Sequence, residues 1–396
     1  MSHRYLGFDL SERSLKVAIL ESNRKHPPRL VGWHIHELTK GQITTGHIKQ
    51  PKQLRQEVVR ALRGVAGHPL GVRYLVAALP EITTFLRAII LNDHEPASQE
   101  LLAQELERHI PLTAEEAYFA AEPFSFPEAH GLILSAAPKQ IVDAWTAFLE
   151  QSGWVPLALE TEAEALLRTV IQPNDQTIIG ILDLGATRTQ LVVARGNVPL
   201  LSATLPFAGE PIIKHLGELM QWDRTQVLQH LTNCEQNAAE CPTEWRKAFD
   251  EFAAGVSAGA KQLLTRAAEG EPLLNTPPAR FAVTGGMATL PGLAEMLQKH
   301  LGIPTELANP LAGLAINPKN KPSPTEQGRL TVAIGLALRG TGVFTPPPEK
   351  PKRKFAWPWQ KKKEPAPALT QTAEMPKTET TPQDKPAEPA PEKSET

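Results

Sequence analysis

The sequence predicts an α/β protein built from two duplicated lobes and followed by a tail that does not fold. Three observations lead there. A strand–Asp–turn–strand unit occupies residues 5–18 and returns at 179–193; helices follow each copy; and apolar residues nearly vanish after Thr345. At 396 residues and 41% hydrophobic content the chain can hold two domains. A formal charge of −2 supplies no basic field of the kind nucleic acid requires, so no nucleic-acid partner is expected.

The first unit reads YLGFDLSERSLKVA. Residues 5–9 and 15–20 are apolar strands around a polar turn at 10–14, which makes a β-hairpin. Leu54, Val58 and Leu62 share one stripe, so 51–64 is helical. Residues 73–79 form a buried strand stopped by Pro80. Residues 98–110 form an amphipathic helix with Leu101, Leu102, Leu106 and Ile110 inward, ended by Pro111. A strand at 132–136 precedes a helix at 139–152 closed by Gly153.

The second unit, IGILDLGATRTQLVV, repeats the hairpin with strands at 177–183 and 189–195 and a tight turn at 184–187. Helices are expected at 210–220, 224–231 and 245–268. A strand at 281–284 runs into Gly285-Gly286, then come a helix at 292–301, a strand at 303–307 and a closing helix at 329–338.

Two cysteines, Cys234 and Cys241, are too far apart for a C-x-x-C pair and have no His cluster beside them; they read as reduced thiols. Asp9 and Glu12 interrupt any signal-peptide core, and no uncharged apolar run approaches the ~20 residues of a membrane span. The expectation is a cytoplasmic protein.

An Asp that ends a buried strand before a tight hairpin can hold Mg²⁺, while the turn's N–H groups cradle phosphate. Taken singly, D-L-G-A-T fits equally an Asp capping its own turn and a Gly supplying positive φ. Two such hairpins could clamp a triphosphate from both sides. The third element, FAVTGGMATLPGL at 281–293, lets a flat ligand lie on two glycines, or is an ordinary strand-to-helix turn.

These three elements, in this order, resemble the actin, heat-shock ATPase and sugar-kinase superfamily. Longer segments are similar to the PilM family of type IV pilus assembly proteins: RYLVAALPEITTFLRAIIL at 73–91, LLAQELERHIPLTAEEAYF at 101–119, LILSAAPKQIVDAWTAFLEQSGWVPLALETEAEALLR at 132–168, VTGGMATLPGLAEMLQKHLGIPTELANPLAG at 283–313 and VAIGLALRG at 332–340. The resemblance implies a duplicated actin-like two-lobe fold. The first lobe would take 1–80 and 159–172, and the second 173–344 with a helical part at about 210–280. A small subdomain at 81–158, placed as in FtsA, would be inserted into the first lobe, and 345–396 would be a disordered tail.

The same resemblance implies roles. Asp9 and Asp183 would face the metal; Ser11, Ser14, Lys16, Gly185, Ala186 and Thr187 would face phosphate; Gly285 and Gly286 would back the adenosine of ATP. Glu162 stands where actin-like proteins place a water-orienting side chain, or is an exposed acid at a helix start. The implied function is an ATP- and Mg²⁺-binding scaffold, at most a slow ATPase, that holds the cytoplasmic peptide of a PilN-like membrane protein and meets pilus motor or platform proteins beside the inner membrane. A nucleotide-free adaptor and a small-molecule kinase are the alternatives. The first turn departs from the family's D-I-G pattern: Ser11 replaces the glycine, at a cost if its φ is positive, and Glu12 would repel phosphate while Arg13 offsets it. In the tail, residues 350–363 set seven basic residues around Phe355, Trp357 and Trp359, a composition suited to an anionic membrane surface or a docking site.

Overall fold

The internal repeat is a pair of β-meanders. In the computed structural model, which describes residues 2–23, 26–91, 98–172, 174–270 and 272–343, the strands His3–Leu10, Ser14–Asn23 and His26–Glu37 run antiparallel, with Asp9 opposite Lys16. The strands Ile178–Leu184, Thr189–Arg195 and Val198–Leu205 do the same, with Asp183 opposite Gln190. Beyond the first strand of each meander lie two parallel strands: Tyr74–Ala78 and Val155–Glu160 in one sheet, Arg280–Thr284 and Thr305–Leu307 in the other. Both sheets therefore have the same order, and the first adds the short strand Ala315–Ile316 beside His26–Glu37. The first strands are almost wholly buried, which is why they read as continuous apolar runs rather than alternations.

The third strand of each meander escaped the sequence pattern. His26–Glu37 starts His-Pro-Pro, a composition that suits only a strand's end or edge, and its register shifts at Glu21/Asn23 and again at Ile19/Leu20. Val198–Leu205 follows the preceding strand after a two-residue turn whose Gly196 has φ 57°.

The closing helix, Pro324–Val343, begins before the expected residue 329. It is buried on nearly every side because it serves both sheets. Val332 and Leu336 pack with Ile179 and Ile181, whereas Leu330, Ala333, Ile334 and Ala337 pack with Ala18, Leu20 and Leu30.

Between Tyr74–Ala78 and Val155–Glu160 the chain forms a small antiparallel sheet of Phe85–Ile90, Ala117–Ser125 and His130–Pro138, the last in the middle. The helix Gln99–His109 covers it. Leu106 and Ile110 are buried there, while Leu101 and Leu102 are only half-buried. The helix Lys139–Gln151 instead sends Ile141, Trp145, Phe148 and Leu149 into the first lobe's core. Because Val155–Glu160 pairs with Tyr74–Ala78, a division at 158 falls inside a strand of the first sheet. The tail at 345–396, with its basic segment 350–363, lies outside the described residues. Among the described residues no helix is long and apolar enough to cross a membrane.

Candidate functional site

A cleft of about 320 Å³ opens between the two meanders. Asp9, Ser11, Ser14, Lys16, Glu162, Asp183, Gly185, Ala186, Thr187, Gly285 and Gly286 all line it, so the fold brings together the residues expected to face metal, phosphate and adenosine, with Glu162 among them.

The two turns close alike. Ser11 N–H donates to Ser14 O at 2.9 Å, and Gly185 N–H donates to Arg188 O at 3.0 Å. In the first turn the Ser11 hydroxyl adds a second clasp, 3.1 Å from Ser14 O and 3.3 Å from Ser14 N–H. Ser11 does not have positive φ, so the strain expected of serine there is absent. Gly185 is not left-handed either; what excludes a side chain is Arg188 O, 2.8 Å from where a Cβ would stand. Glu12 does not point into the cleft, although its charge still acts on Arg188 there. Its carboxylate turns away to accept the Thr45 N–H at 2.6 Å, and Glu12 is not among the lining residues. Arg13 does line the cleft, 3.5 Å from Glu210.

At the strand ends, Lys16 Nζ lies 2.6 Å from Oδ2 of the buried Asp9. Burial works against the Lys16 ammonium, but Asp9 first, then Glu162 and Asp183, outweigh it and raise its pKa. Burial pushes the Asp183 carboxyl up to about 7; Lys16 opposes this, while Glu162 and Asp9 add to it.

Glu162 opens the helix Glu162–Val170, whose start is fixed by a reciprocal cap between Thr161 and Glu164. The T-x-x-E spelling of that cap was legible in the sequence. Glu162 is not an exposed acid: its side chain is 13% exposed and pairs with Arg188 Nη2 at 3.1 Å. That carboxylate is the main reason the Arg188 pKa is raised.

The glycine turn is pinned to the second hairpin. Met287 N–H donates to Leu184 O at 3.1 Å, and Gly285 N–H to Gly328 O at 3.2 Å. Gly285 has φ 92°, and a Cβ there would stand 2.4 Å from Asp183 Oδ1. Gly286 has ordinary φ, and its nearest obstacle is Arg329 Cγ at 3.5 Å. Only the first glycine is dictated by geometry.

Sequence reasoning missed Arg188, Gln190 and the cleft's apolar end, formed by Ile213, Leu228, Leu231, Met287 and Leu290. Beside that end, Glu235 accepts from Thr289 Oγ1 at 2.7 Å and from Thr325 Oγ1. Glu235 belongs to the helix Arg224–Gln236, which runs past the expected residue 231. Its D-x-x-Q cap at Asp223 was legible, its length was not. Cys234 on the same helix is buried, and burial with Cys241 beside it pushes its thiol up to about 12, which disfavours the thiolate.

A family model described as type IV pilus assembly protein PilM matches residues 7–226 and 276–341. The chain belongs to the PilM family. It is similar to a solved PilM–PilN type IV pilus biogenesis complex, with 24% identity, TM-score 0.69, and 85% of this chain and 98% of that chain covered. It is also similar to the ethanolamine utilization protein EutJ from Carboxydothermus hydrogenoformans, with 12% identity, TM-score 0.51, and 85% and 89% covered. The fold is thus the duplicated actin-like α/β fold. The PilM match includes both hairpins, Glu162 and the Gly285-Gly286 turn, and leaves out Leu228, Leu231 and Glu235 at the apolar end of the cleft.

Proposed function

We propose that this type IV pilus assembly protein binds Mg²⁺-ATP in the cleft and uses it as a clamp between its lobes. In this reading it stands at the cytoplasmic face of the inner membrane and holds a short peptide of a PilN-like protein. The observation that carries the reading is the convergence of two Asp-ended hairpins and a glycine turn on one cleft. The residues fit the ligand. The turns offer backbone N–H groups and hydroxyls to phosphate, Gly285 leaves the backbone bare, and the apolar end suits a base. Asp9 and Asp183 are the carboxylates available to Mg²⁺, whose typical site takes one or two carboxylates and completes its shell with phosphate oxygens and water. Among the described residues there is no group of three or more His, Cys, Asp or Glu that could hold a metal ion. Bound Mg²⁺ would supply charge neutralisation to the triphosphate.

All five cations lining the cleft are already engaged by carboxylates: Lys16 by Asp9, Arg13 and Arg224 by Glu210, Arg188 by Glu162 and Arg329 by Glu37. This favours slow or absent hydrolysis over turnover, since Glu162 is occupied by Arg188. Calorimetry should give a Kd in the micromolar range or weaker, about −8 kcal/mol or less favourable, and Asp183→Ala should abolish binding. No heat with ATP or ADP at high protein concentration would leave the nucleotide-free adaptor as the better reading. Titration of a PilN-like N-terminal peptide with and without ATP tests the partner.

A further inference from the structure

We propose that the outer face of the helix Pro51–Ala61 carries an anion site, separate from the interlobe cleft, that takes a phosphate-bearing group. A groove of about 430 Å³ lies between this helix and the end of Lys139–Gln151, and Arg55, Arg60 and Arg63 line it. No acid lines it; its other walls are Gln56, Val59, Gln151 and Ser152. Spacing explains the convergence. Arg55 and Val59 stand one turn apart on the helix with Gln56 and Arg60 on the next stripe, and Arg63 follows just past the C-cap Leu62, where its N–H still donates to Arg60 O at 3.3 Å.

The arginines of this groove have no acid within ion-pair distance among the described residues. Lys49, Lys52, Arg55, Arg60 and Arg63 stand within one stretch of 15 residues, and none makes an ion pair among the described residues. The helix carries one acid, Glu57, which lines the neighbouring groove that Gln56 and Arg60 also border and is engaged there: it accepts from the Thr39 N–H at 3.0 Å and Gln42 Nε2 at 2.6 Å and pairs with His36 at 3.2 Å. The cleft described above is the opposite case, with every lining cation paired. The negative end of the helix dipole offers Arg60 and Arg63 only a partial countercharge.

The arginines are also partly arranged in advance. Arg55 Nη1 donates to Gln151 O at 3.2 Å, which fixes that side chain across the groove. Arg60 and Arg63 keep their guanidinium forks exposed. Planar forks match phosphate oxygens two at a time, so three around one groove suit a phosphoryl group better than a single carboxylate. That group could be a phospholipid headgroup at the membrane or a soluble phosphate compound, and the two sources separate experimentally.

The test uses the full chain, wild type against R60Q/R63Q, both changes being on exposed side chains that make no described tertiary bond. Sodium pyrophosphate is titrated by calorimetry, and sedimentation is measured with vesicles of 30% phosphatidylglycerol in phosphatidylcholine. Any contribution of the cleft or the tail is common to both proteins. A loss of about tenfold or more on both probes supports the site with a lipid source; a loss on pyrophosphate alone supports it with a soluble source. Equal binding of both probes overturns the proposal. So does a loss on vesicles alone, or an equal loss in K52Q, whose lysine lies on the same helix outside the groove: either result would mean diffuse surface charge.

Discussion

Lys16 Nζ sits 2.6 Å from Asp9 Oδ2, directly across the first hairpin, in register. At the matching place in the second hairpin Asp183 faces Gln190, an uncharged partner. The repeat is thus symmetrical in backbone and asymmetrical in charge: one carboxylate has its own ammonium, and the other is held near neutrality at about 7 by burial.

Removing that ammonium should cost stability. In Lys16→Met the buried Asp9 loses its partner, and urea unfolding should show a loss of about 2 kcal/mol, below the full value for a sealed pair because Lys16 is partly exposed. Asp9→Asn together with Lys16→Met should lose less than the sum of the single changes. Additive losses would mean that the pair is not coupled.

The two glycines should respond differently. Gly285→Ala forces a Cβ into positive φ and against Asp183, so a loss of about 3 kcal/mol is expected. Gly286→Ala should stay within about 1 kcal/mol of wild type. Equal effects in thermal or urea unfolding would contradict the geometry.

Glu12 should not govern nucleotide affinity. Its carboxylate serves the Thr45 N–H, so Glu12→Ser should change the Kd for Mg²⁺-ATP by less than about twofold, a few tenths of a kcal/mol. Tightening of tenfold would show that this side chain does reach the phosphates.

Glu81 supplies a pH signature. It accepts from Ser202 Oγ at 2.7 Å, and burial first, then Glu162, push it up to about 7. An unfolded glutamate titrates near ~4.3. Between those values the folded chain keeps a proton that the unfolded chain has lost, so Glu81's contribution is complete below about pH 4 and fades as pH rises through about 7. Wild type should therefore lose stability relative to Glu81→Gln between pH 5 and 8, by about 2 kcal/mol. Parallel stability curves for the two proteins would refute this.

The sequence by itself determined the repeated Asp-ended hairpins, the Gly285-Gly286 turn and most helices, because those signals are local. Apolar runs, turn residues and helix periodicity are written in consecutive residues and need no distant partner. Only the tertiary structure decided that Glu162 is tied to Arg188, that Glu12 accepts from Thr45 rather than lining the cleft, and that Lys139–Gln151 packs into the first lobe's core. It also decided that His26–Glu37 is a strand despite its prolines, since pairing with Ser14–Asn23 supplies what local propensity lacks. In each of these cases the deciding partner comes from a different element of the chain, and a charge pair or a packed face has no periodicity that a local pattern could reveal.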